Sequence, residues 1–158
     1  MSTVISAVGH AQPTAHAKRL VAASMFAKGK AFLGAAILLR QKGGDEFVVL
    51  YLLCQGIEVS LKGILLFIDY DKYKPQLKRI GHKLLSLSEA TAKAVGLSPL
   101  KKDVYSELEV LSNLYSQHLL RYGSLYDIFV NPCTISSDRV LRRMVAVLRL
   151  AKRKSLCA

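Results

Sequence analysis

Between Phe47 and Ile68 a mostly apolar run is interrupted by three polar side chains, Gln55, Glu58 and Lys62. They stand at i, i+3 and i+7, so a helix lines them up as one stripe. Glu58 and Lys62 form an i, i+4 pair in the favourable order. Inside a bundle neither charge tolerates burial without a partner, because desolvation is costly. Two readings follow. Either the stripe lines a polar cleft and places a catalytic or binding group there, or it is an intrahelical ion pair reaching water at the bundle edge.

The second constellation is "YSQHLLRYGS", residues 115–124. On a continuous helix Tyr115, His118 and Tyr122 share a face, with Arg121 beside them. Histidine moves protons near neutral pH and arginine stabilises charge on phosphate oxygens, so the set suits attack on a phosphodiester. It equally suits a helix C-terminus, whose dipole welcomes cations, and Arg121 could pair with Glu58. A third candidate is Gly81-His82 in "IGHKLLSL", expected to open a helix with His82 as a cap or a loop contact. His10 and His16 make no metal-ligand spacing, and neither metal nor cofactor is expected. Cys54, Cys133 and Cys157 show no CxxC spacing, which fits a reducing cytoplasm, with Cys54 a small core residue. Glycine-rich phosphate loops, nucleophile elbows and paired-carboxylate motifs are absent from the chain.

The elements that must position these residues are helical. The 158 residues are 51% hydrophobic and 22% charged, enough for one globular domain with a real core. A first helix is expected over about 14–41, with Leu20, Ala23, Ala27, Ala31, Gly34, Ala35 and Leu38 as its apolar face and small residues inviting close packing. Gly43-Gly44 break the chain, and Asp45-Glu46 charge the first turn of the second helix. That second helix reads as the centre of a bundle. Its longest uninterrupted apolar run, Phe47 to Cys54, falls well short of the roughly 20 residues of a membrane span. "DYDKYKPQ" reads as a loop. A third helix follows from Arg79 to Val95, closed by Gly96. Ser98-Pro99 read as N-cap and first turn of a fourth helix reaching His118, with Leu100, Val104, Leu108, Leu111 and Tyr115 inside. A last helix spans about 138–153, capped by Ser136, Ser137 or Asp138, with Leu141, Met144, Val145, Leu148 and Ala151 inside and arginines outside. The expectation is an all-α, antiparallel bundle of four to five helices over residues 14–154, with a flexible N-terminus (1–13) and a short tail (155–158). The first dozen residues lack the pattern of a secretory signal.

The net charge of +12 lies at the two ends. Residues 1–44 hold six basic residues and 139–158 hold seven, in both cases without an acid, while the middle balances ten against eleven. This asymmetry fits either a polyanionic partner or a solvated cationic face. The last helix carries Arg139, Arg142, Arg143, Arg149 and Arg153, a surface suited to phosphates. With no Trp or Phe on its apolar face, it makes a poor membrane-surface helix.

"YLLCQGIEVSLKGILLF", "GHKLLSL" and "YSQHLLRYGS", in that order, resemble the successive helical motifs of HEPN domains, over residues about 20–150. The resemblance implies a bundle of four or five helices, commonly a homodimer, in the cytoplasm. Many members are RNases, often toxins paired with a nucleotidyltransferase-like antitoxin; others bind RNA or nucleotide without catalysis. The family's RNases follow an Arg with a His four to six residues later. Arg121 stands at the matching place, but Leu125, Tyr126 and Asp127 follow it and no His does. The resemblance therefore implies a module that binds RNA, DNA or a nucleotide without the usual cleavage, with Gln55, Glu58, Lys62, His82 and Tyr115 shaping a cleft beside Arg121. The alternatives are an RNase, metal-independent, using His118 or His82 with Arg121 and Tyr122, and an adaptor that docks a protein partner.

Overall fold

A computed structural model describes residues 12–121 and 128–154, and among these the secondary structure is entirely helical. His10, Tyr122, Cys157, most of the N-terminal segment 1–13 and the tail 155–158 lie outside the described residues. Among the described residues the long helices are α1 (Ala15–Gln41), α2 (Glu46–Ile68), α3 (Tyr70–Ile80), α4 (Leu84–Val95), α5 (Lys102–Ser116) and α6 (Asp138–Lys154), with a 3-10 turn at Pro132–Thr134.

α1 and α2 form an antiparallel hairpin. A Cβ on Gly29 would overlap the backbone of Ser60, one on Gly56 would meet Leu33, and one on Gly63 would lie 2.8 Å from the Phe26 nitrogen. Positions descend along α1 as they ascend along α2, and glycine at these crossings lets the two backbones approach. The buried face of α1 is Ala22, Phe26, Gly29, Leu33 and Ala36. The expected stripe of Leu20, Ala23, Ala27, Ala31, Gly34, Ala35 and Leu38 instead faces outward. Alanine recurs on every side of this helix, so periodicity could not tell the faces apart; Phe26 and Leu33, the bulky side chains that need burial, settle it.

α2 is the central helix, buried through Val49, Leu53, Ile57, Leu61, Ile64 and Leu65, and it packs against α1, α3, α4, α5 and α6. Asp45 caps it, its carboxylate accepting from the Val48 amide at 3.0 Å. α1 and α2 are both long and apolar enough to cross a membrane, with mean hydropathies of 1.4 and 1.6. In α2 the bundle accounts for that apolarity, since 67% of the stretch is buried, against 28% in α1.

The segment expected as a loop is α3. Asp69 caps it by accepting from the Lys72 amide at 3.0 Å, Asp71 suits its first turn, and Tyr73 and Leu77, one turn apart, are buried anchors. Together these carry the helix through Pro75. α3 ends at Ile80, and Gly81 at φ +61° turns the chain. Gly81-His82 therefore separates two helices, and α4 begins at Leu84 rather than Arg79. Gly96 closes α4 in the left-handed conformation, as expected. α5 starts at Lys102, three residues later than Pro99 suggested, and ends at Ser116. α6 buries Val140, Met144, Val147 and Ala151, a face slightly rotated from the expected one.

Its N-terminus is satisfied from another helix. Glu107 of α5, 6% exposed, accepts the amides of Arg139 and Val140 at 3.0 and 3.1 Å and the Ser136 hydroxyl at 2.6 Å. These are amides that a capping side chain ordinarily serves, and the carboxylate also meets the positive end of the α6 dipole.

Candidate functional site

The polar stripe of α2 meets the C-terminal end of α5 and the α3–α4 connection. Glu58, 4% exposed, is the hub. Its Oε1 accepts from Lys62 Nζ at 2.5 Å, and His82 Nδ1 lies 3.0 Å from Oε2. The Tyr115 hydroxyl donates to Glu58 Oε2 at 2.6 Å and also contacts Gln55 Oε1. Burial alone would push the Glu58 carboxyl up. Hydrogen bonds from His82, Lys62 and Tyr115, with the Lys62 charge, more than offset this and hold it below the ordinary carboxylate value. The Tyr115 phenol is pushed far up by burial and then by Glu58, against a smaller opposing effect of Arg121, so it stays a neutral donor. One turn back on α2, Cys54 is fully buried; burial, and then the Glu58 charge, push its thiol far up and leave it a core residue.

Around this hub stand His82, His118 and Arg121, none of them buried. The His82 side chain is 45% exposed although its Nδ1 is held by Glu58. Its ring meets Tyr115 edge-on at 5.9 Å between centroids and His118 at 6.0 Å. The Arg121 guanidinium sits 5.7 Å from the Tyr51 ring and 5.8 Å from the Tyr115 ring, over the two tilted aromatics. Tyr115 is thus a common floor for His82 and Arg121. Tyr51, inside the expected apolar run, joins the site although the sequence reading does not single it out; its spacing of one helical turn from Gln55 is the available signal.

His118 arrives by a route that helical continuity does not suggest. α5 stops at Ser116, and the His118 amide bonds the Tyr115 carbonyl at 3.1 Å while the Leu119 amide bonds the Leu114 carbonyl at 3.0 Å. This is a Schellman closure, whose left-handed position normally belongs to glycine. Here it is His118, at φ +60°, an arrangement costing about 1–2 kcal/mol. The turn carries the imidazole to His82 instead of continuing the α5 face.

The structure therefore brings together Gln55, Glu58, Lys62, His82, Tyr115, His118 and Arg121, while Tyr122 lies outside the described residues. Arg139, Arg142, Arg143, Arg149 and Arg153 lie apart on α6, where Arg143 donates to the Ser98 carbonyl at 2.7 Å. No metal-binding group of His, Cys, Asp or Glu occurs among the described residues. Chemically the cluster offers one buried carboxylate orienting an imidazole, a second imidazole beside it, and a guanidinium presented on aromatic rings. No protein-family model, curated protein or solved structure matches the chain.

Proposed function

We propose that the chain is a HEPN-like helical module that binds the phosphates of RNA or of a nucleotide at the cluster around Arg121. The observation that carries this reading is the assembly, from two separate segments, of His82, His118 and Arg121 around a single buried carboxylate on a third, α2. Glu58 and Lys62 answer each other's charge inside, and the two imidazoles and the guanidinium stand around that pair. The resting strain at His118 fits a residue kept for its ring. The same reading carries a homodimer, a cytoplasmic setting and, in a toxin pair, a nucleotidyltransferase-like partner. The second copy would cover the outward apolar face of α1.

The test is an end-labelled single-stranded RNA incubated with the protein at low and moderate salt and resolved on a gel. Binding through phosphates weakens steeply as salt rises. Arg121→Ala should weaken it by about tenfold, the worth of one charge-assisted hydrogen bond. A shift indifferent to salt or to Arg121→Ala overturns the reading.

The 6.0 Å pairing of His82 and His118 favours a second reading, metal-independent cleavage of RNA. One imidazole would take the proton of the ribose 2′-hydroxyl as that oxygen attacks phosphorus. The other would protonate the departing 5′-oxygen, with Arg121 against the phosphorane charge. Cleavage that persists in EDTA and disappears in both His82→Ala and His118→Ala is its signature; intact RNA throughout the wild-type incubation rules it out.

A further inference from the structure

A second cationic site lies far along the chain from the Glu58 cluster, where the α4–α5 connection faces the first turns of α6. An open cleft of about 430 Å³ has Pro99 and Leu100 as part of its wall and Lys101, Arg139, Arg142 and Arg143 around it. The guanidiniums are positioned by the protein. Arg143 donates to the Ser98 carbonyl at 2.7 Å, Arg142 Nε to the Asp138 carbonyl at 3.4 Å, and Arg139 lies 3.5 Å from Glu107. Only the last of these partners is a carboxylate, and Glu107 is already committed to two amides and a hydroxyl. Among the described residues Lys101, Arg142 and Arg143 have no carboxylate within ion-pair distance, so backbone oxygens hold the two arginines without cancelling their charge.

Pro99 and Leu100 also line an adjoining cleft of about 400 Å³, mostly apolar, whose wall includes Leu97 and Tyr105. Tyr105 is 37% exposed, and the charged residues there, Glu89 and Lys93, offset each other. A cationic cleft and an apolar cleft with an accessible ring thus share one ridge.

We infer that this pair of clefts binds a nucleoside phosphate, its phosphates among Lys101, Arg139, Arg142 and Arg143 and its base across Pro99 and Leu100 toward Tyr105. Arginine forks match phosphate oxygens in bidentate geometry, and a planar base stacks on a tyrosine face. Binding here is independent of whatever the Arg121 cluster does.

Equilibrium dialysis of the full chain at low salt, with adenosine diphosphate, adenosine and inorganic phosphate as separate probes, tests it. The diphosphate should bind more tightly than either fragment. Arg142→Gln should weaken it about tenfold, as expected when one charge-assisted hydrogen bond is removed. Tyr105→Ala should weaken the diphosphate severalfold and leave inorganic phosphate unchanged, and the same pattern should persist in an Arg121→Ala background, where the other cluster no longer contributes. Circular dichroism of each variant separates loss of binding from loss of fold; a variant that unfolds is replaced by Lys101→Gln, for which the same weakening is expected. No binding of the diphosphate, or binding indifferent to Arg142→Gln and Lys101→Gln, overturns the proposal. So does binding abolished by Arg121→Ala, which would place the ligand at the other site. Binding of a short RNA at these residues without binding of the diphosphate also overturns it, in favour of a nucleic-acid surface.

Discussion

Two glutamates are buried to a similar degree, Glu58 and Glu107, and they are put to opposite uses. Glu107 accepts backbone amides at the start of α6, a serine hydroxyl, and the approach of Arg139. Its partners are the unsatisfied groups of a helix end, and the result is a joint between α5 and α6. Glu58 accepts from a lysine, a tyrosine and a histidine, two of which continue outward to Arg121 and His118. A buried carboxylate says little about function by itself. What its partners do with their remaining surface separates a structural joint from a site.

The contrast predicts different losses. Glu58→Ala should cost the most, about 3 kcal/mol, because it leaves Lys62 and His82 at the bundle edge and the buried Tyr115 hydroxyl without their shared acceptor. It should also weaken RNA binding, since nothing then orients His82. Chemical denaturation and the gel assay read both; undiminished binding by a folded Glu58→Ala protein would break the contrast. Glu107→Ala should cost about 2 kcal/mol, through two bare amides and an uncompensated helix dipole, with RNA binding unchanged once the protein is folded.

The two carboxylates also differ in how legible they are. Glu58 announces itself, because a charge amid Leu50, Leu53, Ile57 and Leu61 breaks an apolar pattern, and Lys62 one turn on supplies a visible partner. Glu107 sits on a helix rich in charge, and its partners are amides 32 and 33 residues away whose need appears only when α6 docks. The same rule covers the rest. The central role of α2 and the Gly96 stop are local signals and can be read directly. The inward face of α1 is hidden by alanines on all sides, and α3 by Pro75 within a charged run. A continuous helix would leave His118 on the Tyr115 face; only the Schellman turn, a backbone event, redirects it toward His82. Local chemistry is visible in the sequence, whereas whatever depends on a tertiary partner is not.

His118→Gly sharpens the contrast from the other side. Glycine takes φ +60° without the steric cost, so the variant should be about 1 kcal/mol more stable. It should nevertheless bind RNA less well, because the imidazole beside His82 is gone. A gain in stability with full binding would make His118 a bystander at a helix end, and the site would reduce to Glu58, His82 and Arg121.

The smallest expected effect is in acid. Because the folded-state carboxyl of Glu58 is held below its ordinary value of 4.5, the unfolded chain binds a proton there more readily than the folded one. The contribution to stability is therefore fully present above about pH 4.5 and is lost as the pH falls through the lower folded-state value. Glu58→Gln carries no titrating proton at this position. The stability gap between the wild type and Glu58→Gln should be constant near neutrality and narrow below pH 4.5, as unfolding followed by denaturant at a series of pH values would read. A gap that stays constant into acid would mean that Lys62, His82 and Tyr115 merely compensate for the burial of Glu58. The carboxylate would then be as much a structural joint as Glu107.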